Sequence, residues 1–163
     1  MDAKRLEISR LINRFAFGPR PGEFAAALKS GAATYKKSLL NAPAIDSGAP
    51  QEPVFADLGP RPAPKSADSA QFSQALGAQK KELTIWWLDQ MVLTNKPLQE
   101  RMVWFWHGHW ATSIGKVNYA LPMLTQNQTF RKHALGNFKD LSQAMLVDGA
   151  LQVWLDGNEN TLK

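Results

Sequence analysis

Apolar residues recur at intervals of three and four along most of the chain, which is the periodicity of amphipathic helices. The clearest segment is 97–111, PLQERMVWFWHGHWA, in which Pro97 suits the first position of a helix. No segment combines period-two alternation with turn residues, so the pattern predicts no strand. We therefore predict an all-α fold of six to eight helices packed around 97–111. The predicted helices are 3–15, 21–30, 32–41, 68–94, 97–111, 119–134, 138–147 and a short turn at 150–155.

A proline-rich segment interrupts this pattern. Six of the ten prolines lie between residues 42 and 65, a density that excludes a helix and favours extended chain. We predict a long irregular loop over 42–67, within a single helical domain that spans 1–163. A second, shorter loop is predicted around Gly115. The last turns of 68–94 are almost entirely apolar, and we expect them to be the most buried part of the fold.

Composition and charge narrow the classes of protein. The chain has 163 residues, of which 44% are hydrophobic, so it is large enough for one domain with a core. Its net charge of +5 comes from basic residues spread along the chain, so we predict no nucleic-acid partner. The absence of cysteine excludes disulfides and thiol nucleophiles. No membrane span and no signal peptide are visible, which makes the cytoplasm the default location.

Two of the three histidines lie in the segment Trp104–Trp110. Residues two apart on a helix differ by about 200° in direction, so His107 and His109 face different sides and are poorly placed to share a metal. Glu100 and His107, in contrast, lie on one helix face. A carboxylate that orients an imidazole is typical of an acid–base or metal site. Glu100, His107 and His109 are therefore the candidate catalytic residues.

Each of these candidates also has a structural explanation. A histidine in an aromatic core can be satisfied by hydrogen bonds without a catalytic role. Glu100 and Arg101 can instead form buried ion pairs with Arg131 or Asp140. The tryptophans at helical spacing are most simply explained by core packing, because their rings bury a large area.

A candidate cation site lies near residue 160. Oxygen-bearing side chains alternate in Asp156-Gly157-Asn158-Glu159-Asn160, as they do in the first part of an EF-hand loop. Asp156, Asn158 and Asn160 are thus candidate ligands for calcium or another hard cation. A turn with side-chain caps explains the same residues equally well. No P-loop, dinucleotide fingerprint or nucleophile elbow is present, so the cofactor stays unknown.

Four stretches of the chain resemble motifs of a known family and follow the same order. The family is the large, mostly bacterial one catalogued as domain of unknown function eighteen hundred. Its central motif more usually has Phe at the position of Trp110. The four stretches are RLINRFAFGPRPGE (10–23), WWLDQMVLTNKPLQERMVWFWHGHWATSIGKV (86–117), QNQTFRKHALGNFKDL (126–141) and WLDGNEN (154–160).

The resemblance implies a helical protein whose reaction is not known. Family members are longer and continue into a second acidic signature, so the resemblance implies that this chain is an incomplete part of a larger helical protein. It implies two partners: the missing C-terminal half, and a sulfatase-like or phosphatase-like protein whose gene is often adjacent.

Two hypotheses follow for the function. In the first, Glu100 and His107 form one half of an enzyme site. In the second, the chain is a non-catalytic scaffold or partner-binding module with its histidines in the core. A cleft beside His107 with a polar neighbour would favour the first.

Overall fold

The computed structural model of the protein describes residues 2–157. This part of the chain contains helices and loops and no strand, so the all-α prediction is confirmed. The predicted helices begin and end within two residues of their observed bounds. The observed helices are α1 (Ala3–Phe15), α2 (Glu23–Ser30), α3 (Ala32–Leu40), α4 (Ser69–Leu93), α5 (Pro97–Trp110), α6 (Ile114–Val117), α7 (Ala120–His133), α8 (Phe138–Leu146) and α9 (Gly149–Trp154).

Helix α6 lies where the sequence predicts only a loop around Gly115. The side chain of Ser113 accepts a hydrogen bond from the backbone N–H of Gly115 at 3.2 Å. This bond caps the N-terminus of a single helical turn. Residues 2–157 therefore contain nine helices, one more than the largest number predicted.

The central helix of the larger core is α7 rather than the predicted α5. Of the α5 side chains, only Glu100 and Val103 are buried, whereas α7 buries six residues. Helix α7 contributes Met123 and Leu124 to one apolar cluster with α4, α6 and α9, and Phe130 to another with α5, α8 and α9. A separate cluster holds α1, α2 and α3 together. Buried apolar residues on two sides of α7 thus take the role predicted for the tryptophans of α5.

The C-terminal half of α4 is less buried than its composition predicts. Leu83 and Trp86 face the core, whereas Ile85, Leu88 and Val92 are 48%, 55% and 65% exposed. The three exposed side chains follow each other at spacings of three and four, so they form one stripe along the helix, called here the α4 stripe. The prediction that these turns are the most buried part of the fold is wrong, because α4 packs through one face only. Among residues 2–157, no helix has the length and apolar character that crossing a membrane requires.

The Pro-rich segment forms the predicted long loop and is anchored to the junction of α4 and α5. The Asp46 carboxylate accepts hydrogen bonds from the backbone N–H groups of Asn95, at 2.7 Å, and Gly48, at 3.2 Å, and from the Thr94 hydroxyl. Burial alone would raise the pKa of Asp46, but these hydrogen bonds and the nearby Lys96 outweigh it and lower the pKa. The charged carboxylate is therefore the form that holds the loop against the helices.

The turn between α1 and α2 contacts the same junction. Arg20 Nη1 donates to Asn95 Oδ1 at 3.0 Å, and Nη2 donates to the Thr94 carbonyl. The backbone N–H of Arg20 and the Tyr35 hydroxyl donate to the two carboxylate oxygens of Glu23, each at 2.8 Å. Arg20 thus connects the first three helices to the rest of the fold, which gives the 10–23 stretch a structural role.

Gly48 lies where the loop comes closest to α4. A Cβ atom at this position would lie 2.2 Å from the Leu93 carbonyl oxygen, which is closer than two such atoms can approach. We therefore expect Gly48→Ala to displace the loop and lower the free energy of unfolding by about 1–3 kcal/mol. Urea denaturation followed by tryptophan fluorescence measures this change.

Gly77 in α4 provides the matched control. A Cβ atom there meets nothing within 4 Å, so Gly77→Ala is expected to raise the free energy of unfolding by about 1 kcal/mol. A Gly48→Ala protein at least as stable as the wild type would contradict the close approach of the loop to Leu93.

Candidate functional site

Glu100 is buried where α4, α5 and α7 meet, with 1% of its surface exposed. Its Oε1 atom accepts hydrogen bonds from Trp87 Nε1 and Arg131 Nη2, both at 2.8 Å. Its Oε2 atom accepts a third from Arg131 Nε at 3.0 Å. A two-pronged pair of this kind is among the strongest polar contacts in proteins. The predicted alternative of a buried ion pair between Glu100 and Arg131 is confirmed.

Trp87 stands between Glu100 and His107. Its indole N–H donates to Glu100, while its ring lies edge-on to the His107 imidazole with centroids 4.9 Å apart. Both Glu100 oxygens already have partners, and no hydrogen bond within residues 2–157 joins Glu100 to His107. The shared helix face predicted from the sequence is therefore present, but the link between the two residues runs through an aromatic ring.

The His107 imidazole packs between two aromatic side chains. Besides Trp87, the ring of Phe130 lies edge-on to it at 6.5 Å between centroids. Burial lowers the pKa of His107 below its ordinary value of 6.5. At neutral pH the ring is therefore uncharged, with a lone pair on one nitrogen and a proton on the other.

A cavity of about 260 Å³ lies beside His107. Its walls are mostly apolar and include Trp87, Met91 and Met123. Leu88 and Trp104 also line it and are about half exposed, so they form its rim toward solvent. The polar side chains of the lining are Thr84, His107, Thr112, Ser113 and Asn127.

Three of these five polar side chains are already engaged. The Thr84 hydroxyl donates to the Lys80 carbonyl at 2.9 Å. The Thr112 hydroxyl donates to Gln126 Oε1, and Ser113 caps α6. Each of the three hydroxyl groups therefore already makes a hydrogen bond within the chain.

The other two, His107 and Asn127, make no side-chain hydrogen bond within residues 2–157. Asn127 is only 6% exposed, and its Oδ1 atom is buried without a partner. A buried polar atom without a partner costs about 1–3 kcal/mol, and native proteins contain few of them. The imidazole and the amide are thus the two groups of the lining that can bind something placed in the cavity.

A series of buried hydrogen bonds supports the wall of the cavity that residues 112–113 form. Gln126 accepts from the Thr112 hydroxyl and donates to Asp148 Oδ1 at 2.6 Å. Asp148 Oδ1 also accepts from the backbone N–H of Leu151 at 2.8 Å, which caps α9. These bonds hold the start of α9 and the 112–113 wall of the cavity against α7.

Asn127 is not among the site residues predicted from the sequence. It lies on α7 between Met123 and Phe130, at spacings of four and three, which put all three residues on one face. An amide in the middle of an apolar helix face is a signal that was available in the sequence.

His109 lies on a different side of α5. The helix continues through Gly108 to Trp110, so the two histidines diverge as the helical geometry predicts. His109 is exposed, and its ring packs beside Trp110 and Trp106 at 5.6 and 5.7 Å between centroids. It lines a separate groove of about 530 Å³ with Arg14 and other residues, so the structure does not bring it to the cavity of His107.

The predicted cation site is only partly described. Asp156 Oδ1 pairs with Lys116 Nζ at 2.7 Å. Asn158 and Asn160 lie outside the described residues, so this site stays a prediction. Within residues 2–157, no three His, Asp or Glu side chains are grouped so that they could hold a metal ion.

The Glu100–Arg131 ion pair is expected to contribute to the free energy of unfolding, and single substitutions test this. Arg131→Met leaves a buried carboxylate without its cation and is expected to lower the free energy of unfolding by about 3–5 kcal/mol. Glu100→Gln keeps an acceptor for Trp87 but leaves the guanidinium unpaired, so it is also expected to destabilise the fold.

The double variant Glu100→Gln/Arg131→Met removes both charges. It is expected to cost clearly less than the sum of the single variants, because neither partner is left as an unpaired ion. Chemical denaturation of the four proteins measures the coupling. Additive losses would show that the two side chains act independently.

Comparisons with known proteins identify the family and no reaction. No curated protein and no solved structure matches this chain. The sequence model of the family described as "Protein of unknown function (DUF1800)" matches residues 10–163. This range contains Glu100, His107, Asn127 and every residue that lines the cavity. The chain therefore belongs to the DUF1800 family of proteins of unknown function.

Proposed function

We propose that the protein forms the substrate pocket of an enzyme, in which His107 acts as a general base on a small, mostly apolar substrate. One observation carries the proposal. In the described cavity, the imidazole and the Asn127 amide have no hydrogen-bond partner, while the remaining polar side chains of the lining are engaged. Concave, largely apolar sites with a few convergent polar groups are typical of small-molecule binding.

The state of His107 suits this role. Because burial lowers its pKa, the imidazole is neutral at physiological pH and can accept a proton from a bound substrate. The rings of Trp87 and Phe130 restrict the orientation of the imidazole. Neither ring contact is a hydrogen bond, and the imidazole has no hydrogen-bond partner within residues 2–157, so its lone pair is available to a substrate.

Glu100 is a positioning residue in this proposal. Its carboxylate holds the Trp87 indole N–H, and the same indole packs on His107. Arg131 neutralises the carboxylate, so Glu100 does not need to exchange a proton with the substrate. His109 has no part in this site, because it lines the other groove.

The α4 stripe favours a second function, binding to another polypeptide. Ile85, Leu88 and Val92 are exposed at helical spacing, which is the arrangement that a second helix covers. We propose that the covering element belongs to the C-terminal part of the family domain that the resemblance implies. A sulfatase-like or phosphatase-like protein is the alternative partner. Leu88 also lies at the rim of the cavity, so a helix on the stripe would narrow the opening.

Titration of His107 tests its proposed state. Its NMR signals are expected to titrate with a midpoint below 6.5. As the pH falls below 6.5, the unfolded chain binds a proton at this residue before the folded chain does. Protonation of His107 therefore costs the wild type stability in this window, and His107→Gln lacks this contribution. The free-energy difference between the two proteins, from urea unfolding at about pH 7 and pH 5, should shift in favour of His107→Gln at the lower pH. A midpoint at or above 6.5 would contradict the proposed neutral base.

Phenol tests whether His107 is open to a ligand. Its ring suits the apolar walls, and its O–H can donate to the imidazole lone pair. Phenol is expected to shift the NMR signals of His107 and the Trp87 indole in a saturable way, while those of His109 stay unchanged. If His107 shows no shift, or if His109 responds equally, the cavity is not the binding site.

The α4 stripe is tested by self-association of the chain. An exposed apolar stripe is expected to make the wild type associate, and Ile85→Glu/Val92→Glu should lower that association in sedimentation velocity. Leu40→Glu on α3 is the control, since Leu40 is 72% exposed but lies outside the stripe. A wild type that stays monomeric at all concentrations, or an equal effect of the control, would argue against a role for the stripe in binding.

A further inference from the structure

The cavity beside His107 contains no charged side chain. None of its lining residues is Asp, Glu, Lys or Arg, and burial keeps His107 uncharged at neutral pH. In the neighbouring ion pair, Arg131 donates two hydrogen bonds to Glu100, so the two charges neutralise each other. A charged ligand would lose its water here without gaining a counter-ion, which is strongly unfavourable. The cavity therefore selects neutral molecules.

The Asn127 amide adds a directional requirement. Its Oδ1 atom is buried without a partner, and its NH₂ group donates no hydrogen bond within residues 2–157. A primary amide offers one acceptor and one donor side by side. The Oδ1 acceptor is buried against the protein, so the amide presents its NH₂ donor to the cavity, and a ligand satisfies it with a neutral acceptor such as a carboxamide oxygen. A carboxylate also has acceptors, but its charge excludes it from this lining.

The aromatic and methionine side chains of the cavity walls favour a ligand with a planar ring. Trp87 and Trp104 line the cavity and lie with their ring centroids 5.7 Å apart. Met91 and Met123 add polarizable sulfur atoms, which make favourable contacts with aromatic rings. A planar ring therefore fits this lining better than a branched aliphatic group or a sugar with many hydroxyls.

From these observations we infer that the substrate of the His107 site is a neutral molecule with a flat apolar body and a carbonyl-type acceptor, and that Asn127 is its specificity-determining residue. This inference rests on the proposed function, because it assigns the ligand of the same cavity. The chemical class of the ligand follows from Asn127 and the cavity walls, and the position of His107 alone does not determine it.

A series of probes of nearly equal shape tests the inference. Toluene, benzamide, benzoate and benzamidinium share one ring and differ in the group attached to it. Binding to the full chain is measured at neutral pH from the NMR shifts of the Trp87 and Trp104 indole N–H signals. Benzamide is expected to bind about fivefold more tightly than toluene, as one neutral hydrogen bond allows, and the two ions are expected to bind more weakly than benzamide.

Two variants of Asn127 separate specificity from cavity shape. Asn127→Leu keeps the branching of the side chain but removes the NH₂ donor, so benzamide and toluene should bind equally. Asn127→Asp replaces the donor with a second acceptor and adds a negative charge, so the preference should change from benzamide to benzamidinium. Circular dichroism of each variant establishes that it folds, and either variant alone suffices for the comparison.

The outcomes distinguish this inference from the proposed function. If toluene binds but benzamide gains nothing in the wild type, the cavity is a ligand site and the assignment to Asn127 is overturned. A benzamide preference that survives Asn127→Leu overturns it as well. If none of the four probes moves the indole signals, the proposed substrate pocket and this inference fail together.

Discussion

The burial of the Glu100 carboxylate constrains the arrangement of this molecule more than any other contact. A carboxylate that leaves water is stabilised only where cationic and hydrogen-bonding partners take the place of its hydration shell, and an unpaired one costs several kcal/mol. Glu100 is on α5, and its partners Trp87 and Arg131 are on α4 and α7. The three helices are therefore held in one relative position. Hydrophobic packing alone would tolerate small displacements between them, but a two-pronged ion pair does not.

The cavity is a consequence of that arrangement. Its main functional side chains come from the same three helices: Trp87 from α4, His107 from α5 and Asn127 from α7. Because Trp87 contacts both Glu100 and His107, the ion pair and the imidazole share one rigid support. The second polar chain, from Thr112 through Gln126 to Asp148, supports the opposite wall. A pocket with unpaired polar groups thus lies between two networks in which the polar groups are paired.

The loop and the turn that lie outside this centre share one anchoring point. Asp46 from the Pro-rich loop and Arg20 from the α1–α2 turn both bind the chain at residues 94–95, where α4 ends and α5 begins. This junction fixes the angle between the two helices that carry Trp87 and His107. The N-terminal helices and the loop can therefore influence the pocket without contacting it.

The sequence by itself determined the helical class, nearly all helix bounds, the Pro-rich loop, the divergence of His107 and His109, and the pairing options of Glu100. These features depend on periodicity, proline and the geometry of one helix, all of which are local. The tertiary structure decided which of the options holds: Glu100 binds Arg131 instead of His107, α7 replaces α5 at the centre, and a face of α4 stays uncovered. It also decided that Asn127 meets His107 at one cavity, although twenty positions separate them in the chain. Only the packing of α4, α5 and α7 brings these side chains together. The reason is that a pocket joins residues from different helices, and the hydrophobic periodicity within one helix does not show how that helix packs against another.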